Sequence, residues 1–417
     1  EIKMIRRDFI KAFGSLSTAY IMGNGDVSAY AGGGGKLSTN KSIIFIFLGG
    51  GISAADSFVI KPNVLPEYAP INGYIQSKAG YLLGSDFPNL STISDKMVSV
   101  RNYKTYDGNH STATAYSLTG KPSFGLAEGS PAKEPSAASF MSYVFGTNND
   151  KNGLPTYVKL NRNIHDGSAW LGSKYMGFEA TDDGIKTLKI NSSPETFKRR
   201  NQMVNDIEAG NGRDDHYFKE WSNLRNQARD IVMGDAAQAF NISNEDKAWL
   251  TQYDADKGGF GKNCLLARRL IQAGSKVVTL EHGGWDMHND ISAGFKARSV
   301  DLDKYLTVLV NDLKSKGMFE DTMIVVTSEF SRTKVNMNKG RDHNPNICSL
   351  LFLNDGLTGG TIGDCDSYAL VAEGNPYGPK DLFWTMFNWL GVPKDYTLID
   401  NMKRPRHLFT EDDRIII

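Results

Sequence analysis

Five short stretches of the chain are apolar almost throughout: Ile43 to Leu48, Met97 to Val100, Lys276 to Leu280, Met323 to Thr327 and Cys348 to Leu353. A strand covered on both faces has no polar side to show, so such runs predict strands of a largely parallel, buried sheet. Between them the pattern shifts to a helical period. Cys264 to Ala273 is an apolar stripe stopped by Gly274, and Leu302, Tyr305, Leu306, Leu309, Val310 and Leu313 recur at helical spacing. Asp381 to Leu390 is a further amphipathic stretch, ended by Gly391 and Pro393. Helix and strand alternate through the last third, which predicts an α/β fold with helices on both faces of the sheet. From about 121 to 250 the chain turns polar and rich in Asn, Ser and Lys, with one long helical pattern from His216 to Phe240. This segment reads as a partly helical insertion or cap on the sheet domain.

Charge narrows the partners. Across 417 residues, 47 Lys plus Arg balance 47 Asp plus Glu, so no net field draws nucleic acid or an anionic membrane. No stretch of about twenty apolar residues is present, so no membrane span is expected. Three cysteines without CxxC spacing argue against a disulfide scaffold or a thiolate zinc site. Cys264 and Cys348 read as core thiols, and Cys365, among polar neighbours, as exposed.

Near the start, Arg6-Arg7-Asp8-Phe9-Ile10-Lys11 precedes a mildly apolar stretch, Ala12 to Met22, and the small-x-small triplet Ala29-Tyr30-Ala31. That order predicts a twin-arginine-type secretion signal over 1–31 and a periplasmic or extracellular destination. Gly32 to Gly35 opens a flexible joint over 32–41, before a folded domain at 42–417.

Chemistry is expected beyond the carboxyl ends of the strands, where α/β sheets place their crevices. Glu281 to His288 follows the third run, Ser328-Glu329-Phe330-Ser331-Arg332 follows the fourth, and Gly340-Arg341-Asp342-His343 precedes the fifth. The second run leads to Asn109-His110-Ser111-Thr112, and the first to Gly49-Gly50-Gly51 and Asp56. Of seven histidines, His110, His282, His288 and His343 fall in these segments. Imidazoles mixed with carboxylates suit a divalent ion such as Zn or Mn better than Ca or Mg. Small hydroxyl residues from Asn109 to Gly120 open a helix, where free backbone amides favour an anion.

These residues, with Gly284-Trp285-Asp286-Met287-His288, Leu266-Ala267-Arg268-Arg269-Leu270 and Glu329-Phe330-Ser331-Arg332-Thr333, resemble the family called domain of unknown function 1501. That family lies within the alkaline phosphatase and sulfatase superfamily. The resemblance implies an alkaline-phosphatase-like fold and a reduced site for one ion, with Asp286, His288 and His343 as ligands and Glu329 as a fourth ligand or a base. The superfamily's second ion site departs from the pattern: Glu329-Phe330 stands where an Asp-His pair is usual, and Asp56 would have to reach back to serve. The nucleophile region falls at Asn109 to Ser111. Ser111 is the candidate nucleophile; otherwise water attacks and His110 serves as acid or base. Asn109, Arg332 and Arg341 would hold the anion. The expected function is therefore a metal-dependent hydrolase of a phosphate or sulfate ester, the substrate a small anionic molecule or a sulfated or phosphorylated polymer. The alternative is a non-catalytic binding or surface-interaction protein on a degenerate version of the same fold, its metal at most a staple between loops.

Overall fold

The computed structural model describes residues 37–160, 163–180, 193–210, 222, 225, 228–231, 236–400, 402 and 404–417. The expected secretion signal at 1–31 lies outside these residues, as does much of the helix expected from His216 to Phe240, whose end at Ala236–Phe240 is helical.

Ten strands position the site: β1 (Ser42–Phe47), β2 (Met97–Val100), β3 (Tyr157–Lys159), β4 (Phe178–Glu179), β5 (Val277–Glu281), β6 (Thr322–Thr327), β7 (Ser331–Val335), β8 (Arg341–Asn344), β9 (Leu350–Leu353) and β10 (Gly360–Ile362). Eight of them form one sheet in the order β10-β2-β9-β6-β1-β5-β3-β4, while β7 and β8 pair as a separate hairpin. Every pairing in the large sheet is parallel except those of β9, which runs against both its neighbours.

The apolar runs have the physical basis expected. All six residues of β1 are buried. Ile44 and Ile46 enter one core beside α3 (Gly259–Gln272) and α4 (Ile291–Ser315). Ile43, Phe45 and Phe47 enter the other, where α2 (Ala137–Phe145) and α5 (Pro379–Trp389) pack, joined by Leu118 of α1 (His110–Thr119). Alternate side chains thus leave water on opposite faces, each apolar side chain stabilising the fold by about 1.5–3 kcal/mol. Part of the polar segment 121–250 belongs to this same body: it supplies α2, strand β3 and the edge strand β4. Cys264 and Cys348 are buried as expected, but Cys365 is too, packed with Ala54, Ala55, Val59, Ile347 and Ala369. Its polar sequence neighbours face outward and hid that small apolar pocket. Among the described residues, no helix is long and apolar enough to cross a membrane.

Strand direction assembles the mouth. Because β1, β2, β5 and β6 run the same way, their carboxyl ends share one edge of the sheet. The reversed β9 starts at that edge, so the β7–β8 hairpin before it is delivered there as well. At the same edge α1 begins, its N-cap Asn109 accepting from the Thr112 amide (3.1 Å) and hydroxyl (3.2 Å). Gly120, at φ 65°, closes the helix in the left-handed region.

Candidate metal centre

Asp286 sits in the loop after β5 and is the hub. Its Oδ1 lies 2.9 Å from His288 Nε2 and 3.1 Å from His343 Nε2, and its Oδ2 lies 3.3 Å from His110 Nε2. The two rings His288 and His343 also meet each other, Nε2 to Nε2, at 3.0 Å. Each of these rings is fixed from behind through Nδ1. Gly108's carbonyl takes His343 at 2.6 Å, and the Asp342 carboxylate takes His288 at 2.9 Å. A carbonyl only accepts, so Nδ1 of His343 carries a proton, and in the neutral ring Nε2 is left with its lone pair. The acceptor behind His288 places its proton in the same way.

With both rings neutral, two ring lone pairs and a carboxylate oxygen, all within 2.9–3.1 Å, repel one another unless a cation stands among them. Ligand atoms held about 2.0–2.2 Å from one ion stand roughly 2.9–3.5 Å apart, so the spacing fits a divalent ion. His110, Asp286 and His343 also form a compact ligand group, their donor atoms all within 4.8 Å of one another.

The surroundings tune these groups. Burial works to raise the Asp286 pKa, but the hydrogen bond and positive charge of Arg332 outweigh it and hold the carboxyl well below the usual range. Burial pushes the His343 pKa down, which favours the neutral ring a metal needs. The hydrogen bond to Glu329 raises the His110 pKa against the pull of burial. His288's hydrogen bond lowers the Asp342 pKa.

Several expected roles need correction. Asp56 is not a metal ligand: its carboxylate pairs with Arg341 (Nε to Oδ2, 2.8 Å) and accepts the Ile71 amide (2.7 Å). Arg341 is accordingly no anion clamp, since its remaining donors reach the carbonyls of Thr333 (3.0 Å) and Ala69 (2.7 Å). Arg332 is spent likewise. It donates to the carbonyls of Gly50, Gly51 and Arg341, and Nη2 holds Asp286 Oδ1 at 2.7 Å. Both guanidiniums are buried to the tip and lace loops together instead of meeting an ester.

Glu329 faces inward as well. Its Oε1 accepts from Gly50's amide (2.8 Å) and meets His110 Nδ1 (2.9 Å), and its Oε2 meets the Ser328 hydroxyl (2.9 Å). It acts on His110 and does not reach the ring lone pairs. Ser111 is buried in α1, and among the described residues no site side chain reaches its hydroxyl. Asn109, exposed at the rim, spends its Oδ1 on the helix cap. His282 leaves the site altogether: it stacks on Phe260 at 4.4 Å inside the core. Asp342 and the Gly108 carbonyl went unassigned in the sequence, although Asp342 adjoins His343 in the chain.

Glycine makes the geometry possible. A Cβ on Gly50 would stand 2.6 Å from the Asp286 amide nitrogen and 2.8 Å from that of Trp285, and Gly50 has φ 108°. Gly50→Ala is therefore expected to destabilise the fold by about 1–3 kcal/mol from backbone strain and to displace Asp286. Urea unfolding together with metal titration checks both effects; an unchanged affinity would show that the loop yields without moving the ligand.

An α/β protein whose strand ends carry a histidine–carboxylate centre is the class that fold and site define. The chain belongs to the family described as protein of unknown function (DUF1501), whose model matches residues 40–416. No curated protein matches the sequence. Among solved structures, a sulfatase from Pseudoalteromonas sp. is 11% identical with a TM-score of 0.41, the likeness covering 93% of this chain and 72% of that one. The lipoteichoic acid synthase LtaP from Listeria monocytogenes is 11% identical at 0.42, covering 98% and 79%. A protein in the alkaline phosphatase superfamily from Vibrio parahaemolyticus is 9% identical at 0.38, covering 94% and 76%. Likenesses this loose carry no chemistry across.

Proposed function

We propose that this chain is an exported hydrolase of phosphate or sulfate esters that works with one divalent ion, Zn or Mn, held by Asp286, His288 and His343. The observation that supports this most is the meeting of two Nε2 ring nitrogens and one carboxylate oxygen, all within 2.9–3.1 Å, at the strand ends. When bound, such an ion supplies Lewis acidity toward the oxygens of an ester. The protein's own work is positional. Gly108 and Asp342 fix which ring nitrogen is free, and Arg332 sets the carboxylate's orientation. Asp286 (44%), His288 (40%) and Asp342 (57%) have the more exposed side chains, so a substrate approaches from their side. Ser328 is fully buried and, among the described residues, no side-chain base reaches Ser111, which makes water the attacking group in this reading. The paired arginines and apolar stretch at 6–22 support export.

The test is metal analysis of chelator-stripped, Zn- or Mn-reloaded protein, combined with turnover of aryl phosphate and aryl sulfate. A bound ion and turnover, both lost in His288→Ala, are expected. An ion without turnover of either ester would point to a staple between loops. No ion at all would leave a binding protein on this fold.

A further inference from the structure

His110 stands apart from the triad just described, yet its Nε2 is the odd atom of the centre. It is buried and has no hydrogen-bond partner, although Asp286 Oδ2 lies only 3.3 Å away, a contact misaligned for a hydrogen bond. A ring nitrogen shut off from water without a partner is costly, by about 1–3 kcal/mol, and it cannot pass a proton to a substrate it does not meet. The ring has no freedom to turn away. Nδ1 is tied to Glu329 at 2.9 Å, and the faces pack on Phe330 (5.0 Å between centroids) and His343 (4.4 Å). Glu329 in turn is pinned by Gly50 and Ser328.

The same plan therefore appears three times. His110, His288 and His343 each have Nδ1 held by an oxygen, of Glu329, Asp342 and Gly108 respectively. Each turns Nε2 toward Asp286, two rings to Oδ1 and the third to Oδ2. We infer that His110 is a fourth protein ligand, so that the centre is a three-histidine, one-aspartate site with Glu329 as the positioning carboxylate of the third ring. A carboxylate behind a ligating imidazole fixes its tautomer and raises its strength as a donor. This accounts for a buried glutamate that reaches neither the triad nor a substrate, and for a histidine at the first turn of α1. It assigns His110 a role other than acid or base. The inference rests on the ion binding of the proposed function but not on turnover.

X-ray absorption of the chelator-stripped, Zn²⁺-reloaded full chain counts the imidazoles directly. Three in the wild type and two in His110→Ala are expected, with Zn²⁺ affinity at least about 10-fold weaker in the variant by calorimetry. Glu329→Gln is expected to keep three imidazoles while weakening Zn²⁺ by roughly 10–100-fold. Two imidazoles in the wild type overturn the assignment and leave the triad standing, and that reading needs no variant to fold. Unchanged affinity in a folded His110→Ala also overturns it. A wild type that takes up no Zn²⁺ removes this assignment and the proposed function together.

Discussion

Asp286→Asn is expected to weaken divalent-ion binding by more than about 100-fold, beyond the range of an outer partner of a ligand, and to bring ester turnover to background. The reason is concentration of roles in one carboxylate. Asp286 supplies the only carboxylate oxygens that face the free nitrogens of His288, His343 and His110 among the described residues. Arg332, buried and with each guanidinium nitrogen hydrogen-bonded, then faces an amide instead of an anion. Asparagine keeps the size and one oxygen, so the variant isolates charge from shape. Asp342→Asn is the comparison. Among the described residues Asp342 meets the centre at the back of His288 and not at a free ring nitrogen, so a loss of about 10–100-fold is expected. Calorimetric titration of both proteins gives the ranking; an Asp342→Asn defect as deep as that of Asp286→Asn would contradict the assignment of ligand and supporter.

The largest expected loss of stability falls on a pair that never touches the ion. Asp56→Ala strands the Arg341 guanidinium, whose side chain is 0% exposed, beside 1% for the aspartate. Breaking one half of such a buried pair costs about 3–5 kcal/mol, because the remaining charge keeps its desolvation penalty and loses its counter-charge. Carbonyls of Thr333 and Ala69 still accept from Arg341, which places the value toward the lower end. Arg341 opens β8, two residues before His343, so weaker ion binding is expected to accompany the instability. Urea denaturation measures the first effect. The double change Asp56→Ala with Arg341→Met should recover part of it, since no charge is then buried; no recovery would mean that the hydrogen bonds, and not the charge, carry the cost.

How much of this was legible follows from how far each residue's environment is set by its neighbours in the chain. The five apolar runs became β1, β2, β5, β6 and β9 because burial on both faces leaves a local mark. The short strands β3 and β4, three and two residues long and containing Lys159 and Glu179, leave none. The reversal of β9 was equally hidden, since direction depends on where the chain re-enters the sheet. For the site, position at a strand end sufficed to gather Asp286, His288 and His343. Partner choice was not legible. Arg341 and Asp56 are 285 residues apart, and Arg332 and Gly50 are 282 apart, so nothing nearby in the sequence reveals that these arginines face each other's loops and not an anion. Gly50 shows the same limit: its amide, which anchors Glu329, has no side-chain signature.

The β7–β8 hairpin is stitched to the Met287–Ile291 stretch by backbone bonds from Arg341 to Met287 (3.0 Å), Asp290 to Asn338 (3.1 Å) and Ile291 to Lys339 (3.0 Å). His343 rides on one side of that seam and His288 on the other. An ion gripped by both rings would act as a rivet through two plates: while it is held, the seam is held with it. Local opening of the hairpin is then expected to be rarer with the ion bound than without it.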